Sequence, residues 1–159
     1  KKFLVNKYRA SIHPWEDVAV IWWDQPTPEF ENVNFAQVMN EDEYKQLGSS
    51  NIKNFDLRVV TVNPIAEINT INTKKISYLE KIKLSFLRFF SSHSYSRVEP
   101  GDSGAPLFAT IRGKLKIAGV VKGFGKNIIM DWDAFAPVAE IACSFKYRLP
   151  DELGSKICR

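Results

Sequence analysis

Apolar residues come in short runs over most of this chain, separated by polar or turn-forming residues. Phe3-Leu4-Val5 is a brief run suited to a strand, and His13-Pro14-Trp15 then punctuates the chain, because proline disfavours helix at the residue before it. Val18–Trp23 is a continuous β-branched and aromatic segment that predicts a buried strand. Asp24-Gln25-Pro26-Thr27-Pro28 predicts a linker between two packing units, and the charges of Glu41–Leu47 predict a surface turn of helix or a loop. Leu57–Val62 predicts a strand ended by Asn63-Pro64. Ile76–Phe90 supports two readings. Ile82, Leu84 and Phe86 alternate with Lys81, Lys83 and Ser85 as in a strand, while Leu79, Ile82, Phe86 and Phe89 share a helical face. Its basic flank suits a membrane surface, although a segment with one core face and one solvent face is the commoner origin of such a pattern.

Beyond Gly101 the strand signals sharpen. Ala105–Ile111 and Lys114–Val121 are apolar runs joined by Arg112-Gly113, a hairpin signal, and Asn127–Trp132 forms another run after Gly123-Phe124-Gly125. Ala134–Phe145 carries Phe135, Val138, Ile141, Ala142 and Phe145 at three- and four-residue intervals, which predicts a helix closing the fold. Many short strands followed by one terminal helix predict a mostly β barrel or sandwich.

Composition narrows the class. The 159 residues fit one domain or two small subdomains, and 45% apolar with 25% charged residues is ordinary for a globular chain. The net charge of +4 predicts a basic surface and no nucleic-acid partner. Two cysteines, Cys143 and Cys158, are too few for a disulfide scaffold and do not stand at metal-ligand spacing, so neither metal nor cofactor is expected. No apolar stretch is long enough for a membrane span, and Lys1–Asn6 reads as mid-strand sequence without the apolar core of a signal peptide.

The chemistry concentrates at Asp102-Ser103-Gly104, a glycine-flanked turn leading into an apolar strand. A serine nucleophile needs an exposed hydroxyl, a base and backbone N–H groups aimed at the developing oxyanion. Glycine at 101 lets the backbone approach a substrate carbonyl closely, and the N–H groups of Gly101 and Ser103 are the candidate oxyanion donors. Three turn-forming residues alone are more often an ordinary turn.

The longer string Pro100–Phe108 (PGDSGAPLF) resembles the active-serine signature of the trypsin-like, chymotrypsin-fold serine proteases, with Ala105 where that family usually has glycine. Ala118–Gly123 follows at the separation of the family's substrate-binding strand, and His13–Val20 is similar to its His-Pro…Asp-[Ile/Val]-Ala segment. The resemblance implies a chymotrypsin-like double β-barrel with a C-terminal α-helix, the first barrel partial and the second complete. Residues 1–28 would be the first-barrel remnant and the start of the linker, 29–133 the second barrel, and 134–159 the terminal helix and tail. It implies a serine endopeptidase acting through an acyl-enzyme on Ser103, with Asp17 orienting the base and Gly101 and Ser103 holding the oxyanion. Val121, Lys122 and Gly123 would pair with substrate backbone, and Asp102 would form a buried ion pair supporting the loop. The family often activates by cleavage to a new amino terminus that pairs with the aspartate before the serine, which Lys1 does not resemble.

The chain departs from the family in its base. It has two histidines, His13 and His93, and neither stands in the family's Ala-Ala-His context. The expected explanation is an amino-terminal segment of the same protease that supplies the histidine, so that this segment hydrolyses peptides poorly alone. The alternative is a catalytically inactive homologue acting as a protein-binding module. Arg97 falls near the base of the family's primary pocket, where it would favour acidic substrate residues. The resemblance further implies a protein or peptide substrate and an extracellular or periplasmic location.

Overall fold

The computed structural model describes residues 8–23, 33–47, 55–63, 70–76, 80–84, 87–92, 98–126 and 131–157. The fold is mostly β, with open sheets and short helices. Strands β1 (Arg9–Ile12) and β2 (Ala19–Trp22) form an antiparallel two-stranded ribbon. The main sheet runs in the order β5-β4-β8-β9-β10-β7-β6, comprising β4 (Asp56–Asn63), β5 (Thr70–Ile76), β6 (Glu80–Leu84), β7 (Leu87–Ser92), β8 (Pro106–Ile111), β9 (Lys114–Lys126) and β10 (Asp131–Ala136). β3 (Gln37–Val38) adds in parallel to β9 at Lys116 and Ile117.

Period-two patterning orients this sheet. In β4, Leu57, Val59 and Thr61 are buried while Arg58 is exposed; in β8, Leu107, Ala109 and Ile111 point inward. Leu57, Val59, Leu107, Ala109 and Ile111 form one core with Met39, Tyr44, Leu47, Ile76, Val98, Ala118, Val121 and Phe135. Arg112 (φ 48°) and Gly113 (φ 76°) both take positive φ, giving the primed two-residue turn that the sequence predicts between β8 and β9.

Glu41–Gln46 is helical, as α1. Asn40 accepts from the Glu43 N–H at 2.9 Å and the Glu43 carboxylate accepts from the Asn40 N–H at 2.9 Å, a reciprocal cap. Among the described residues of Ile76–Phe90 the strand alternative is the one adopted, as the end of β5, β6 and most of β7; Leu79 and Phe86 lie outside them. Among the described residues no helix is long and apolar enough to cross a membrane.

Two expectations are corrected. The helix predicted over Ala134–Phe145 begins only after Pro137: α2 spans Val138–Ile141, a 3₁₀ turn follows over Ala142–Arg148, and α3 covers Asp151–Ile157. Ala134–Ala136 instead complete β10. The proline ring removes a donor and fixes φ, so it starts α2 and cannot continue a helix from 134. Phe135 fits the helical spacing only because a strand and a helix meet there. Val18–Trp23, predicted as a buried strand, forms β2 with alternate residues exposed, since among the described residues it pairs only with β1. The Phe3–Val5 strand and the Asp24–Pro28 linker lie outside the described residues.

Candidate active site

Two consecutive tight turns build the segment before β8. In the first, the Asp102 N–H donates to the Glu99 carbonyl at 3.0 Å, with Pro100 and Gly101 at its centre. In the second, the Ala105 N–H donates to the Asp102 carbonyl at 2.9 Å around Ser103 and Gly104. Gly101 (φ 99°) and Gly104 (φ 83°) each sit at the third position in the left-handed region, as type II turns require. Pro100 supplies the fixed φ that suits the second position of the first turn.

The turn is anchored from both sides. The Gly104 N–H donates to the Val121 carbonyl at 2.8 Å, and the Val121 N–H donates to the Ala105 carbonyl at 2.8 Å, which ties it to β9. Asp102 Oδ2 accepts from the Glu99 N–H at 2.8 Å and from Lys74 Nζ at 2.8 Å. The buried Val98 N–H donates to Asp133 Oδ1 at 3.3 Å. This network leaves Gly101 and Ser103 exposed, and neither N–H takes a partner among the described residues.

Ser103 and Asp17, 86 positions apart in sequence, line the same cleft of about 680 Å³. One wall is Asp17–Ile21 of the ribbon, another is Val120–Lys122 of β9, and a third comprises Val138, Ile141, Ala142 and Phe145. Asp17 and Lys122 are its charged residues; the rest is largely apolar. On the β8 side, the ladder of β9 ends at Val121, and beyond it Lys122–Gly125 has no strand partner on that edge among the described residues. On the other edge β10 pairs through Lys126, with a bulge where Ala134 faces Gly123 and Phe135 faces Val121, so Lys122 is the extra residue. Gly123 has open space around its Cα. Arg97 and His93 lie outside the described residues.

His13 is committed elsewhere. Its Nδ1 accepts from the N–H groups of Glu16 at 3.0 Å and Trp15 at 3.3 Å, capping the turn between β1 and β2. Its ring meets Phe145 edge-on at 5.4 Å between centroids, and no histidine lines the cleft among the described residues. Burial lowers the His13 pKa below the ordinary imidazole value; the Glu16 carboxylate opposes this and the Arg148 charge reinforces it. Protonation would turn the Nδ1 acceptor into a donor facing two donors. A base with a depressed folded pKa stabilises fully above its unfolded pKa and loses that contribution as pH falls through the window below it, near pH 6.5 and downward. The amides of Trp15 and Glu16 should therefore exchange faster as pH falls below about 6.5, after correction for intrinsic rates, and His13→Ala should remove that dependence.

Sequence reasoning missed Lys74 and the helical wall at Val138–Phe145. Lys74 stands 28 positions before its carboxylate partner, in a strand that no apolar–polar alternation marks in the sequence. No protein-family profile, no curated protein and no solved structure matches this chain.

Proposed function

We propose that this chain is the nucleophile-bearing part of a trypsin-like serine endopeptidase. The main sheet is read as its second barrel and the β1–β2 ribbon as the last strands of its first, with the exposed apolar Ile12 and Ile21 available to the remainder of that barrel. The observation that carries the reading is the unclaimed pair of N–H groups at Gly101 and Ser103, held on a doubly anchored turn beside the cleft that Asp17 also lines.

In this reaction Ser103 Oγ attacks the carbonyl carbon of a peptide, and its proton passes to a histidine supplied by a preceding segment of the same protease. The carbonyl oxygen becomes an oxyanion that accepts from the Gly101 and Ser103 N–H groups. Collapse expels the amine, which takes the proton from the histidine, and leaves an ester on Ser103. Water deprotonated by the same histidine then attacks the ester, restoring the hydroxyl and releasing the acid. Asp17 orients the histidine. The open edge of β9 from Lys122 accepts the peptide as an added strand, and Arg97 is the proposed determinant for acidic residues. The disulfide at Cys143 suits an oxidising compartment, in line with an extracellular or periplasmic site.

A second reading, a catalytically inactive homologue that binds proteins, is favoured by one observation: the cleft contains a serine and a carboxylate without a histidine among the described residues. A fluorophosphonate on the full-length protein separates the two. The enzyme reading expects covalent labelling that Ser103→Ala abolishes. Absence of labelling, with the biological activity retained in Ser103→Ala, establishes the binder.

A further inference from the structure

We propose that Lys74 is the positioning residue of the nucleophile turn, an internal ammonium that sets the backbone of Glu99–Ala105 without any newly liberated amino terminus. Its catalytic meaning rests on the reading of Ser103 as nucleophile, while its geometry stands apart from it. The Lys74 side chain leaves β5, where its backbone faces Val59 of β4, and places Nζ 2.8 Å from Asp102 Oδ2. The two side chains are 16% and 12% exposed, so the charges are shielded from solvent and from screening. A second carboxylate, Glu99, stands 3.4 Å from the same nitrogen but is mostly in solvent.

The pair differs from a surface salt bridge in what its acceptor does. The same Oδ2 takes the Glu99 N–H at 2.8 Å, and the carbonyl and N–H of Asp102 close the two successive turns. Fixing this one residue therefore fixes both peptide units that flank it, whose N–H groups belong to Asp102 and Ser103. The Gly101 N–H is held one residue earlier, inside the first turn. Glycine at 101 and 104 permits this path but does not enforce it, because glycine visits both signs of φ. Something outside the turn has to hold it. Gly104 and Ala105 are fastened to β9, and the Asp102 end is fastened to β5 through Lys74.

The same contact has a regulatory consequence. An arriving α-ammonium would seek the charge at Asp102 that Lys74 already neutralises. A turn built this way is set when the chain folds, so its oxyanion donors need no proteolytic cut.

Amide exchange of residues 99–105 in the full chain, followed by NMR, tests this. Lys74→Met leaves the largely shielded Asp102 carboxylate without its cation, and the turn amides should exchange at least about tenfold faster while β9–β10 amides are unchanged. Lys74→Arg, which keeps a cation, should return exchange to within about threefold of the natural protein, a rescue that simple packing would not give. If Lys74→Met does not fold, Asp102→Asn removes the charge from the other side and should loosen the same amides. Unchanged exchange in Lys74→Met, or failure of Lys74→Arg to restore it, overturns the proposal. Exchange does not require Ser103 to react. A loosened turn in a protein that never takes the fluorophosphonate upholds the positioning role while the enzyme reading falls.

Discussion

Phe135→Ala should cost about 3–5 kcal/mol of folding free energy, the range for deleting a fully buried aromatic ring. Phe135 is 0% exposed, pairs with Phe90 of β7 on one side and Val121 of β9 on the other, and belongs to the main core. Its backbone is fixed by both neighbouring strands, so the sheet has little freedom to close the void that truncation leaves. A domain of this size is stable by about 5–15 kcal/mol, so the loss would consume a large part of the total. Urea unfolding of the two proteins should show a lower midpoint with an unchanged slope. Phe135→Leu, which keeps more of the volume, should lose markedly less. A loss below about 1 kcal/mol for the alanine variant would mean that β7, β9 and β10 do not close over this ring.

The turn at Asp102–Gly104 was the part of this molecule easiest to read from residues, because each step has a local cause. Proline followed by glycine, and serine followed by glycine, favour consecutive turns with positive φ at the glycines, and both glycines adopt it. The Arg112–Gly113 hairpin and the alternation of β4 and β8 were legible for similar reasons. The assignment failed where two periodicities overlap. Phe135 completes a strand and Val138 begins a helix, yet their spacing imitates one continuous apolar face; Pro137 between them was the available signal.

Non-local pairing was invisible. Nothing in the sequence couples Lys74 to Asp102, since a lysine between Thr73 and Lys75 looks like any solvated side chain until the sheet folds it beneath the turn. The His13–Val20 segment drew attention through a resemblance, but its contribution to the cleft depends on how the ribbon meets β9 and α2. The burial expected for Val18–Trp23 failed for the same reason in reverse. An apolar strand is buried only on the faces that neighbours cover, and among the described residues β1 alone pairs with β2. His13 was better understood by its geometry than by its side-chain type, because both contacts to Nδ1 come from backbone donors in its own turn.

Gly119→Ala should damage the cleft strand through a clash with the backbone of its neighbour. A Cβ built at Gly119 would stand 2.6 Å from the Ala136 carbonyl oxygen, a backbone atom fixed by its pairing with Val120. A contact that short cannot be relieved by a side-chain rotation, so β9 or β10 must move, at a cost of about 1–3 kcal/mol for overpacking. The displaced residues would be Val120 and Val121, which line the cleft and fasten the turn around Ser103 through the Val121 carbonyl. Stability and Ser103 reactivity should therefore fall together. Gly123→Ala, four positions along the same strand, meets nothing within 4 Å and should change stability by no more than about 0.5 kcal/mol. Its methyl group enters the open stretch of β9 proposed to receive a peptide, so peptide hydrolysis by the full-length protein should weaken while fluorophosphonate labelling is kept. Equal thermal stability of the Gly119→Ala and natural proteins would show that β9 and β10 do not approach as described. Equal peptide hydrolysis by the Gly123→Ala and natural proteins would place the substrate strand elsewhere.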